Sequence, residues 1–119
     1  MSSPMENYRL AELYLGTGDP RRAVQLLEPL VAEPADSFGT TSVRLLLARA
    51  YFHSAQLHRA EEQFRQVLTD DPADDYAHFA LGRTLERQSR PDAALRHFRL
   101  AAAMTANADY EAAVTRLSG

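Results

Sequence analysis

Displacing the sequence by 34 residues lays Leu47, Ala48, Tyr51, Ala60, Phe64 and Val67 onto Leu81, Gly82, Leu85, Ala94, Phe98 and Ala101. A further copy, Leu10, Ala11, Tyr14, Ala23, Leu27 and Leu30, stands 37 rather than 34 residues ahead of the second, so the first junction carries a short insertion. A fixed period of this length, split into two helical stretches, restricts the chain to a solenoid. Each repeat can bury its apolar face only against its neighbours. The working part of such a fold is usually a surface, not an enclosed catalytic pocket.

Composition agrees. The chain has 119 residues, the size of one domain, although an elongated stack buries less per residue than a globule of equal mass. Alanine and other strong helix formers dominate and strand-like alternation is absent, so the expectation is all-α. All 13 basic residues are arginine, which fits GC-rich coding in a bacterium; guanidinium chemistry at an interface is the functional alternative. The net charge is −3 and no basic block occurs, which argues against a nucleic-acid partner. There are no cysteines, hence no disulfides or thiol chemistry. The opening MSSPMENYRL lacks the zones of a signal peptide, and no apolar run approaches the roughly 18–20 residues that cross a bilayer. A soluble, cytoplasmic protein with no membrane partner is expected.

Helix boundaries are marked along the chain. Ser3, Pro4 and Glu6 make a capping box that opens the first helix. Gly16 to Gly18 ends it, and Asp19 with Pro20 begins a second helix that stops before Pro34. Residues 33–40, EPADSFGT, hold the insertion; Phe38 there either lips a groove or packs down onto the stack. Further helices are expected over about 41–54, 57–70, 75–88 and 91–104. Asp70, Asp71, Asp74 and Asp75 form an acidic junction that lacks the glycine and distal glutamate of an EF-hand. Capping by Asp74 or Asp75 accounts for it better than calcium. A last helix, about 108–117, carries Tyr110, Ala113, Val114 and Leu117 as one apolar stripe, with Glu111, Ala112, Thr115 and Arg116 facing away. That is the pattern of a terminal cap.

The repeat resembles the tetratricopeptide repeat (TPR) family. Residues 41–74 supply Leu47-Ala48, Tyr51, Ala60, Phe64 and Pro72; residues 75–108 supply Leu81-Gly82, Leu85, Ala94 and Phe98; residues 4–37 supply Leu10-Ala11, Tyr14, Ala23, Leu27 and Pro34. The usual tryptophan is replaced by Asn7, Arg44 and His78. The resemblance implies a right-handed α-solenoid of three helix-turn-helix pairs plus a C-terminal capping helix, in one domain spanning 1–119. Physical pattern supports it independently: small residues at Ala11, Ala48, Gly82, Ala23, Ala60 and Ala94 allow helices to cross closely, and Tyr14, Tyr51, Leu27, Phe64 and Phe98 fill the gaps.

The family's concave groove is lined by the first helix of each pair. By frame, the resemblance places Tyr8, Glu12, Leu45, Arg49, Phe52, His53, Tyr76, Phe79, Arg83, Arg87 and Tyr110 there, with Met5, Leu15 and Glu86 beside them. Tyr8, Leu45 and Phe79 share one register; Glu12, Arg49 and Arg83 another; Tyr76 and Tyr110 a third. Aromatic and Arg residues are the types enriched at binding hot spots. Arg49 and Arg83 could grip a carboxylate or a backbone carbonyl. Alternatively, the apolar row completes packing between successive first helices, and the arginines pair with Glu12 and Glu86. The lysine and asparagine clamp by which some TPR proteins hold a terminal carboxylate is missing: Tyr8, Glu12, Leu46, Tyr76 and Ala80 stand at its positions.

Enzyme chemistry finds little footing. His53, His58, His78 and His97 are scattered, no nucleophile–base pair stands out, and the glycines lack the context of a phosphate loop. No catalytic residue, metal or cofactor is expected. Two functions compete. One is an adaptor that binds a peptide or helix of another protein. The other is a self-associating homodimer, to which Leu13 on the outer face of the first pair could contribute.

Overall fold

The computed structural model describes residues 3–32 and 40–119. Those residues form seven helices: α1 (Pro4–Gly16), α2 (Pro20–Ala32), α3 (Thr40–His53), α4 (Leu57–Asp70), α5 (Asp75–Arg87), α6 (Pro91–Met104) and α7 (Ala108–Ser118). No strand occurs among them. The fold is all-α and matches the expected helix bounds to within a residue wherever both ends are described. The 33–39 segment, with Phe38 and Pro34, lies outside the described residues.

Local chemistry sets the helix starts. Ser3 Oγ accepts the Glu6 N–H at 3.1 Å, and Pro4 follows where a missing N–H costs nothing. At α5, Asp74 Oδ1 accepts the Ala77 N–H at 2.9 Å. Of the two candidate caps, Asp74 therefore fills the role. Asp75 instead accepts the Tyr110 hydroxyl at 2.8 Å. Asn107 caps α7, accepting from the N–H groups of Asp109 and Tyr110 at 2.8 and 3.3 Å.

Each helix pair turns in the same way. Gly18, Ala55 and Ser89 hold left-handed backbone at φ 86°, 62° and 61°. The residue after each returns its N–H to the carbonyl five residues back: Asp19 to Tyr14 at 2.8 Å, Gln56 to Tyr51 at 2.8 Å and Arg90 to Leu85 at 3.0 Å. This is a Schellman closure, which favours glycine at the left-handed position. Only the first turn has one; Ala55 and Ser89 carry a steric cost.

The described residues divide into two compact units between Gln63 and Phe64, inside α4. In the unit ending at Gln63, α1 packs on α2 and α2 on α3. Its centre is Ala11, Ala23, Leu27, Val43, Leu47, Ala48 and Ala60, all at 1% exposure or less. Leu10 departs from its register mates: it is 38% exposed where Leu47 and Leu81 are buried, and Leu13 stands 60% exposed. Both lie on the outer face of α1.

In the unit beginning at Phe64, α5 packs on α6 and α6 on α7 around Phe64, Val67, Leu81, Leu85, Ala94, Phe98 and Ala101. The tightest crossing is at Gly82. A Cβ there would meet Phe98 ring carbons at 2.6 and 2.7 Å, so the position has no room even for alanine.

Candidate interaction surface

In the unit ending at Gln63, Tyr8 on α1 is half-buried, and Glu12 and Arg49 are exposed. The Tyr8 hydroxyl is held above its ordinary pKa by burial first and by Glu12 second, with Arg49 opposing. That three-way coupling brings Tyr8, Glu12 and Arg49 within one local field. Leu45 is half-buried and His53 exposed. Phe52 does not belong to the exposed row: it is 7% exposed, one turn beyond the buried Ala48 on the core side of α3. Its ring meets His53 edge-on at 5.3 Å.

The same unit holds a tie on its other helices. The Tyr51 hydroxyl donates to Glu28, whose second neighbour Arg59 stands at 3.9 Å. Burial, then the hydrogen bond to Glu28, pushes the Tyr51 pKa up to about 12.

The unit beginning at Phe64 builds a pocket. Phe79, half-buried on α5, lies 5.6 Å from the Phe98 ring and 4.8 Å from the Tyr110 ring. Arg83 sits over its face at 6.0 Å, a separation at which a cation is drawn to the ring. Glu86, Asp109, Ala112, Ala113 and Arg116 complete a cavity of about 330 Å³ between α5 and α7. Its lining carries two cations and two carboxylates. Tyr76 is 39% exposed, and Arg87 is exposed too.

One expectation needs correction here. Tyr110 is 5% exposed, so it is a docking residue of α7, not part of an open row. Its hydroxyl bond to Asp75 and its burial, the larger cause, raise its pKa to about 12. Arg116 and Ala112 are exposed, as the stripe pattern of α7 predicts. Arg116 forms a two-pronged ion pair with Glu86, and both residues line the pocket.

The histidines are not all scattered. His78 Nδ1 and His97 Nδ1 lie 3.1 Å apart, and His78 Nε2 stands 2.9 Å from the Pro72 carbonyl oxygen. His58 pairs with Glu62 at 3.1 Å on an exposed face. Among the described residues no three His, Cys, Asp or Glu side chains converge on a metal position, and no helix is long and apolar enough to cross a membrane. At the positions of the missing carboxylate clamp, Leu46 and Ala80 are buried.

The tetratricopeptide repeat profile matches residues 45–112. The chain belongs to the tetratricopeptide repeat family. No curated protein sequence matches it. Among solved structures, a crystal structure of MamA superposes with a TM-score of 0.86 at 15% identity, over 97% of this chain and 66% of that one. This chain thus spans just under two thirds of the MamA chain. The first TPR of Spaghetti (RPAP3) bound to the HSP90 peptide SRMEEVD gives a TM-score of 0.85 at 14% identity, over 97% of this chain and 90% of that one. The second TPR domain of human RPAP3, in complex with the HSP70 peptide SGPTIEEVD, gives 0.84 at 14% identity, over 98% and 99%. At these identities the likeness establishes the fold.

Proposed function

We propose that this TPR protein is an adaptor that binds a segment of another protein through its first-helix side chains. Tyr8, Glu12, Leu45, Arg49 and His53 make up one contact cluster; Tyr76, Phe79, Arg83 and Arg87 make up the other. The observation that carries the reading is the α5–α7 pocket, where Phe79 lies under Arg83 beside the Glu86–Arg116 pair. An aromatic floor with fixed charges at its rim suits an apolar anchor side chain flanked by backbone hydrogen bonds. The two RPAP3 domains of like fold are complexed with peptides ending in EEVD. The balanced lining here, Arg83 and Arg116 against Glu86 and Asp109, favours a less acidic occupant. A cytoplasmic location and an absence of catalysis accompany this proposal.

The test is affinity capture from lysate of the source organism with the wild-type chain beside an Arg49→Glu/Arg83→Glu double variant. The adaptor reading expects a partner kept by the first and lost by the second, with helicity equal in the two. Equal capture by both would remove the proposed clusters from the account.

A second reading has its own observation. Leu10 and Leu13 on the outer face of α1 are 38% and 60% exposed, and exposed apolar patches often mark association sites. Self-association through this face would cover it. Mass measured across a concentration series separates the readings: a dimer that Leu13→Glu dissolves supports this one, and a monomer at all concentrations rejects it.

A further inference from the structure

Four of the six large apolar side chains exposed on the described residues fall into two pairs: Leu10 with Leu13 on α1, and Leu100 with Met104 on α6. The other two, Met5 and Tyr76, stand among or beside the first-helix residues proposed above for binding. Both pairs depart from the repeat. The frame mates of Leu10 and Leu13 on α3 are Leu47 and Ala50, 1% and 0% exposed, and α2 packs on α3. No described helix fills that place on α1. The frame mates of Leu100 and Met104 on α4 are Gln66 and Asp70, also exposed but polar. A leucine and a methionine therefore meet water where the preceding repeat puts polar groups. Apolar patches of this kind mark interaction sites.

The charges beside the two pairs are complementary. Glu6, Leu10 and Leu13 lie within about 60° on α1, and Arg96, Leu100 and Met104 within about 80° on α6. Each apolar pair is thus preceded, one turn toward the N-terminus, by a single charge, negative on α1 and positive on α6. Arg96 and Arg99 line a hollow of about 340 Å³ with Leu100. Arg9 borders the α1 face and Asp92 the α6 face, again with opposite signs. Among the described residues, none of these charged groups is engaged in an ion pair. A parallel contact between the two faces seats Glu6 against Arg96, and Leu10 and Leu13 against Leu100 and Met104.

Pairing each face with its own kind fits less well. Two α6 faces would set Arg96 and Arg99 of one copy against the same residues of the other, at a Coulombic cost. Two α1 faces would leave Leu100 and Met104 in water. Only the mixed contact covers both apolar pairs and matches their charges.

On the self-associating reading given above, we propose that the occupant of the α1 face is the α6 face of a second copy. The contact is heterologous: each chain offers one face of each kind, so copies add in a row or close into a ring.

The test is analytical sedimentation of the full chain across a concentration series, with helicity checked for each variant. Leu13→Glu blocks the α1 face and Leu100→Glu the α6 face. Each variant alone should be monomeric. An equimolar mixture of the two should form a dimer and nothing larger, because one intact face of each kind remains. Association of Leu100→Glu as strong as that of wild type would overturn the α6 assignment while leaving self-association through α1 standing. A monomeric wild type would remove both. Two monomeric variants whose mixture stays monomeric would also overturn the mixed contact. Charge reversal probes the same contact with the apolar pairs left in place. Arg96→Glu should weaken association about two- to fivefold, and adding Glu6→Arg to the same chain should restore it. A double variant weaker than Arg96→Glu alone would overturn the seating of Glu6 on Arg96.

Discussion

Leu45 and Phe79 occupy the same frame position in the two units, yet their surroundings differ. Phe79 is flanked by two aromatic rings and a guanidinium, and its helix is fastened to α7 by Tyr110–Asp75 and Arg116–Glu86. In the unit that holds Leu45, Tyr8 is half-buried and influenced by the charges of Glu12 and Arg49. One residue exchange illustrates the difference: the frame mate of Glu86 is Phe52, which is buried. A carboxylate at that position holds a wall in place, whereas a phenyl ring joins the core. The same repeat can therefore carry a braced pocket in one unit and a different set of ties in the other, according to a few side chains outside the repeated pattern. Bracing matters for binding because side chains already fixed lose less entropy on contact.

The largest effect should come from deleting residues 108–119. Removal uncovers Phe79 and discards the buried Tyr110 and Ala113, which should cost on the order of 3 kcal/mol in urea unfolding. A truncated chain as stable as the intact one would mean that α7 braces nothing. Next in size is Gly82→Ala. Helix propensity alone favours the change by about 1 kcal/mol. The 2.6 Å approach to the buried Phe98 ring should reverse the sign and leave a net cost of about 1–3 kcal/mol. In the other unit Ala48→Gly, at the same frame position, should cost only about 1 kcal/mol. The two substitutions thus separate overpacking from propensity.

Tyr110→Phe and Tyr51→Phe each remove one hydroxyl–carboxylate bond and should cost about 1 kcal/mol at pH 7. Both hydroxyls have pKa values raised from 10.0 to about 12. The folded chain therefore keeps protons that the unfolded chain sheds between those values. Their contribution is complete below pH 10 and is lost as pH rises toward 12. Wild type should lose stability in that window more steeply than either variant. The smallest effect is at the turns: Ala55→Gly and Ser89→Gly relieve left-handed backbone and should each gain about 0.5–1 kcal/mol, net of glycine's extra chain entropy.

The helices and their crossings were legible because they rest on repetition: small residues at Ala48, Gly82, Ala60 and Ala94 recur at one period, and each sits fully buried or at a close crossing. The cap at Asp74 was legible to within one residue. The pocket was legible only in part. Phe79 and Arg83 follow from the frame, but Asp109 and Arg116 lie on a helix that is not a repeat. No period links them to Glu86. His78 and His97 are 19 residues apart on different helices, a separation with no helical meaning until the two helices are packed. Phe52 was misplaced, and Tyr110 keeps its place in the docked stripe but not in the groove row, because a frame gives the face of a helix, not the depth to which a neighbour covers it.

The most direct test of the central claim is calorimetric titration of the captured partner segment against Arg49→Glu and Arg83→Glu separately. If the first-helix clusters carry binding, each variant should weaken affinity at least about tenfold, roughly 1.4 kcal/mol, with the braced Arg83 site losing more. Wild-type affinity in both variants, with helicity unchanged, would contradict it.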